Sequence, residues 1–267
     1  MESRQKSIRV AYDLGLAAYH QGRLDEAEVQ VERLLRLAHD FDSLQGLAVY
    51  LRLAGDIRAA RGDLKEAESL YAEALRIWLH RGSVARPAEL YEALGNIQLR
   101  QGRLEAAKSS FLASLKGQQE VESAHGVAMA QRGLGSVAYE EGYYQDAIVR
   151  FKAALAELRK RPEPGMEIDI RGRMALVRHR LGESKVALEE LQTCLSYWQA
   201  KDSTRWIALV ELDIASVLRD TENHAEADQY LTSSHKRFEQ VGDRYHADRA
   251  QRMRSGSMRT AAHTGRP

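Results

Sequence analysis

The chain holds one cysteine, four prolines and no long apolar run. A lone Cys194 excludes an internal disulfide and fits a reducing compartment. No segment reaches the roughly 20 apolar residues that span a bilayer. The stretch MESRQKSIRVAYDLG lacks the apolar core of a signal peptide, so a cytoplasmic location is expected. Scarce proline favours helices, because proline removes a backbone donor and clashes with the preceding turn. Neither sign of charge dominates: 39 Lys and Arg face 38 Asp and Glu, for a net charge of +1. Such a balance argues against a chain built to neutralise nucleic acid or an anionic membrane. The nine histidines include no pair at helical metal-ligand spacing, so neither a metal nor a cofactor is expected.

What the chain has in abundance is repetition. GRLDEA at 22–27 returns as GDLKEA at 62–67, GRLEAA at 102–107 and GYYQDA at 142–147. GESKVA at 182–187 and ENHAEA at 222–227 are worn copies, and the register of 40 never slips. A fixed period of this size marks a stacked array. One column reads Gly15, Gly55, Gly95, Gly135, Ala175, Ala215, and a second reads Gly22, Gly62, Gly102, Gly142, Gly182, Glu222. A third is alanine throughout, from Ala27 to Ala227. A fourth is bulky: Val31, Tyr71, Phe111, Phe151, Leu191, Leu231. From the alanine column, apolar residues recur at offsets of four, eight and eleven, which is one helical stripe. Each unit is therefore two helices, broken at the second glycine column, where glycine suits a left-handed helix end. Glycine inside the first helix costs about 1 kcal/mol relative to alanine. Its recurrence implies a close neighbour, for which the small alanine column of the second helix is the candidate.

The pattern L-G-x6-G-x4-A followed by a bulky residue resembles the tetratricopeptide repeat. The 40-residue length is similar to that in kinesin light chains and spindle adaptor proteins. The resemblance implies an all-α, right-handed α-solenoid of six helix-turn-helix repeats. They fall near residues 3–40, 43–80, 83–120, 123–160, 164–200 and 203–240, with a capping helix at 243–254. Residues 1–254 form one solenoid domain in this reading, and 255–267, which lack periodicity, are expected to be disordered. RKRPEPG at 159–165 is the place for a local irregularity.

The same resemblance implies a concave groove lined by the first helices. A turn of 100° per residue sets out the face opposite the small column. That face carries Tyr12, Leu16 and Tyr19 in the first repeat, Arg52 and Asp56 in the second, and Glu92 and Asn96 in the third. It continues with Arg132, Ser136 and Tyr139, then Leu176, His179 and Arg180, and finally Arg219. These columns vary while the packing columns do not, so folding does not dictate them. Mixed charges disfavour a polyanionic ligand, and the apolar members suit a face that meets a partner. Lysine is absent from these groove positions and Asn96 stands alone, unlike family members that clamp a C-terminal carboxylate.

No enzyme is expected. GLGSVA at 133–138 matches a dinucleotide fingerprint, but it lies in a helix rather than between strand and helix. No nucleophile motif is present. Cys194 sits in a column shared with Ala74, Ser114 and Ala154, as a small buried residue would. From Lys236 onward eight Lys and Arg face three carboxylates, which reads as a solvated cap and tail without interleaved stacking residues. The expected function is a non-catalytic scaffold or adaptor that binds a peptide or partner helix in the groove. Alternatives are a self-assembling homo-oligomer, by head-to-tail stacking of end faces or by a neighbour's terminus in the groove, and a peptide-sensing component of a transcription or signalling system. The expected partner is a protein or peptide, with no membrane or nucleic-acid contact.

Overall fold

A computed structural model describes residues 2–38 and 44–256. The described residues form thirteen α-helices and no strand. The first repeat comprises α1 (Glu2–His20) and α2 (Leu24–Ala38), and the second α3 (Leu44–Arg61) and α4 (Leu64–His80). The next two are α5 (Ala85–Arg100) with α6 (Leu104–Glu120), and α7 (Ala124–Glu140) with α8 (Tyr144–Leu158). The last two are α9 (Pro164–Arg180) with α10 (Ser184–Ala200), and α11 (Thr204–Asp220) with α12 (His224–Gln240). A final helix, α13 (Arg244–Arg254), follows Asp243, whose side chain caps it by accepting from the His246 N–H at 3.2 Å. The segment expected to be disordered lies, from residue 257, outside the described residues. Each helix packs on the next in sequence, which is the connectivity of an α-solenoid.

Local chemistry accounts for the breaks. Gly22, Gly62, Gly102, Gly142 and Gly182 all have φ between 72° and 93°, and Glu222 takes φ 62° in the worn last copy. Pro164 opens α9, where its missing N–H costs nothing. The proline-containing stretch lengthens the turn between α8 and α9 to residues 159–163, against three residues before α7, α11 and α13.

The alanine column is fully buried in all six repeats. Yet the alanines do not explain Gly55, Gly95 and Gly135 of the first helices. A Cβ at Gly55 would lie 2.5 Å from the Tyr71 ring, one at Gly95 2.8 Å from Phe111, and one at Gly135 2.6 Å from Phe151. At these three the close neighbour is thus the aromatic ring of the bulky column, 16 residues on, whereas a Cβ at Gly15 would meet Gln30 at 3.2 Å and the Ala27 carbonyl at 3.7 Å. Where that column is Leu191 or Leu231, the first helix carries Ala175 or Ala215 instead. Gly133 faces Phe111 from the other side, so this ring lies between glycines of two successive repeats. The dinucleotide-like GLGSVA is accordingly a packing motif inside α7.

The solenoid meets itself after six repeats. A Cβ at Gly22 would lie 3.3 Å from Val241, and one at Gly62 3.5 Å from Tyr245. Gly242 comes as close to Leu24. The turn between α12 and α13 therefore rests on the inner turns of the first two repeats. A cleft of about 610 Å³ runs beside this seam, between Gln21–Glu26 and the α12–α13 turn.

Candidate ligand groove

The first helices α1, α3, α5, α7, α9 and α11 carry the residues of the candidate groove. A hollow of about 260 Å³ lies over the first two repeats and the start of the third. Tyr12, Leu16, Tyr19, Arg52 and Asp56 line it, together with Trp78, Arg86 and Glu89. Tyr12 and Tyr50 meet with ring centres 5.8 Å apart, which fixes one wall. Asp56 accepts a hydrogen bond from the Tyr71 hydroxyl at 2.6 Å, tying the floor to the packing column. Burial drives the Tyr19 hydroxyl up to about 12, helped by the Asp56 charge, so it stays a neutral donor.

A second group is a ladder of alternating charge along the floor. Arg52 pairs with Glu89, which also receives Arg86 at 3.3 Å. Glu92 accepts from Asn96 at 2.5 Å and lies 4.0 Å from Arg132. Arg132 pairs with Asp169 at 2.7 Å, and Arg173 reaches the same carboxylate at 3.4 Å. Arg132 and Asp169 are only 13% and 10% exposed, so this rung is desolvated. Burial opposes the charge on Asp169, but the Arg173 and Arg132 guanidiniums outweigh it and hold the carboxyl below the usual range. Buried pairs of this kind add little net stability, but breaking one leaves an isolated charge. Ser136 turns back to the Arg132 carbonyl of its own helix at 3.1 Å.

A third group gathers at the far end. His179 and Arg180 both reach Asp220, at 3.0 and 3.5 Å, and His179 also contacts the Ser184 hydroxyl at 2.9 Å. Tyr139 packs beside Tyr144, and burial pushes its hydroxyl up to about 12. Leu176 is half-buried against the core of the last repeats. Arg219 is drawn away from these residues and donates to the Met253 carbonyl near the end of α13.

The fourteen residues expected on the face thus fall into three clusters and one outlier. Arg173, Trp78 and Arg86 join the site without having been expected there. The ladder itself had a signal in the sequence, since Arg52–Glu89 and Arg132–Asp169 share one separation of 37 residues.

At the seam, the Arg100 guanidinium lies 3.9 Å from the Tyr245 ring centre and donates to the Ala59 carbonyl at 2.8 Å. Arg205 donates to Asp243 at 3.0 Å. Burial opposes the Asp243 charge, yet hydrogen bonds from His246 and the Arg205 guanidinium hold its carboxyl down to about 2. Elsewhere, burial raises the Cys194 thiol to about 11, which makes it inert as a nucleophile. No cluster of three His, Cys, Asp or Glu side chains suited to a metal ion occurs among the described residues. No described helix is long and apolar enough to cross a membrane.

Comparison with known proteins places this architecture. No curated protein matches the chain in sequence. Among solved structures, NprR in complex with its cognate peptide NprX superposes with a TM-score of 0.75 at 13% identity. That match covers 94% of this chain and 74% of NprR. Aspartyl phosphate phosphatase F from Bacillus subtilis gives 0.68 at 12% identity, over 97% of this chain and 72% of its own. The nearly identical TPR-like repeats of a putative kinesin light chain from Podospora anserina give 0.50 at 15% identity, over 74% and 97%. At such identities the likeness is one of fold. Models of the tetratricopeptide repeat match residues 7–79, 46–120 and 92–162, more than half of the chain in all. With that match and the column pattern of all six helix pairs, the chain belongs to the tetratricopeptide repeat family.

Proposed function

We propose that this chain is a non-catalytic protein-interaction module whose single solenoid domain takes a peptide segment along the inner groove. The observation that carries this reading is the cavity over the first two repeats and the start of the third. There, Tyr12 and Leu16 offer apolar walls beside Arg52, Asp56 and Glu89, in positions that the repeat pattern leaves free to vary, and Trp78 of the packing stripe adds its edge. Aromatic walls with a few charged groups are the usual anatomy of a peptide anchor pocket. A binding role rather than a catalytic one is supported by the ladder, whose carboxylates are held by guanidiniums, and by the inert Cys194 thiol.

A randomised peptide library displayed on phage tests the reading. Enriched peptides should bind the parent chain and lose at least tenfold in affinity to Tyr12→Ala combined with Val49→Asp, Val49 being a further residue of the cavity lining, while the helical circular dichroism is retained. Enriched peptides that bind this variant as well as the parent would overturn the groove assignment, as would a library that yields none. Arg132 is a poor probe, because its loss strands a buried Asp169.

A second reading, a cytoplasmic peptide-sensing regulator, is favoured by the fold likeness to NprR bound to its peptide. In that case peptide occupancy should change the affinity for a second protein.

A further inference from the structure

The two ends of the solenoid are finished differently. At the C-terminal end, α13 turns Ala247, Ala250 and Met253 inward and leaves Arg244, Asp248, Gln251, Arg252 and Arg254 exposed. That is the polar cap a solenoid needs for solubility. At the other end, α1 keeps the apolar columns of an internal repeat. The later counterparts of Leu14 include Ala54, Leu94, Leu134 and Ile214, none more than 7% exposed. Those of Val10 include Leu90, Ala130, Ile170 and Val210, with the same limit. In the later repeats these columns are buried within the stack, apart from the partly buried Tyr50 and Met174; on α1 Val10 is 47% and Leu14 51% exposed, with Ala17 exposed beside them.

We propose that this face is covered by α1 of a second copy, the two helices packing antiparallel about a two-fold axis. The stripe continues the repeat-to-repeat interface, which throughout the chain sets helix against helix, so its shape suits a helix. Head-to-tail stacking finds no apolar counterpart, because the far end presents the charges of α13. The face is, in contrast, complementary to itself. Arg9 and Asp13 lie on one flank of the stripe, 3.9 Å apart and 86% and 64% exposed. A two-fold axis between antiparallel helices brings that flank against its own copy in reversed order. Arg9 then meets Asp13 of the partner subunit, and the pairing occurs twice. Val10 and Leu14 likewise cross to pack on each other. One helix face is smaller than a standard interface, so dissociation should fall in the range of about 1–100 μM.

Sedimentation of the full chain from about 1 to about 500 μM tests this. The expected result is a reversible monomer–dimer equilibrium with no larger species. Leu14→Glu should stay monomeric throughout with an unchanged melt, since Leu14 is exposed. Arg9→Glu and Asp13→Lys, which keep the apolar stripe, should each weaken the dimer by about 3–10-fold. Mixed in equal amounts they should recover a heterodimer, because both cross-pairs are then of opposite sign. A parent chain that stays monomeric, growth beyond the dimer, or charge variants that gain nothing on mixing would each overturn the assignment. None of these outcomes depends on what the groove binds.

Discussion

Arg100 and Tyr245, 145 residues apart in sequence, stack guanidinium on ring at 3.9 Å and so join the end of α5 to the start of α13. Most contacts in a solenoid are between neighbours, and this one is not. Tyr245→Ala should cost about 1–2 kcal/mol, since the stacked cation is partly desolvated. Hydrogen exchange should quicken together in α13 and in the turns around Gly22 and Gly62, and not in α7 or α8. Exchange unchanged at the two glycine turns would mean that the seam touches without stabilising.

The glycines should divide by what a methyl group would meet. Gly133→Ala drives a carbon into the Phe111 ring, which is already pressed by Gly95. It should destabilise by about 1–3 kcal/mol despite the better helix propensity of alanine. At Gly172 the nearest side-chain atoms are 3.8 and 3.9 Å from the new carbon, an ordinary contact. Gly172→Ala should therefore stabilise by about 0.5–1 kcal/mol. Thermal melts of the two variants should move in opposite directions from the parent.

Asp213 gives the molecule a pH dependence of its own. Burial pushes this carboxyl up to about 6, the Asp169 charge adds to the push, and Arg249 and Arg173 offset it in part. An unfolded aspartate titrates near 3.9, so between about pH 4 and pH 6 the native state binds the extra proton. Stability contributed by this group therefore falls as pH rises through that window, and the loss is complete above it. Asp213→Asn should be more stable than the parent by about 1–3 kcal/mol near pH 7.5, with the gap closing near pH 4. Urea unfolding at the two pH values measures the gap; an equal gap at both would rule out titration of Asp213 as its source.

The repeat and its helix pairs were legible because packing columns are local and recur. The fully buried alanine column and the left-handed glycine turns stand in the structure where the period sets them. The partner of Gly55, Gly95 and Gly135 was misread. The stronger signal was the pairing 16 residues on from the second repeat onward, glycine with an aromatic ring and alanine with leucine, which reports volume rather than smallness. On the groove face, an angular rule placed Tyr12, Leu16, Tyr19, Arg52 and Asp56 around one cavity. It could not show that Arg132 is occupied by Asp169, nor that Arg219 is claimed by the Met253 carbonyl, since those depend on the next repeat and on the cap. The seam left no trace in any window of sequence. It arises from small rotations summed over six repeats.

That summation makes the number of units a fixed property of this molecule. An open array tolerates gain or loss of one 40-residue module, because each end simply moves along. Here a deletion would carry Val241 and Tyr245 past Gly22 and Gly62, and a duplication would leave them short. Selection on the join would then hold the count constant, while leaving the letters inside each module free to drift.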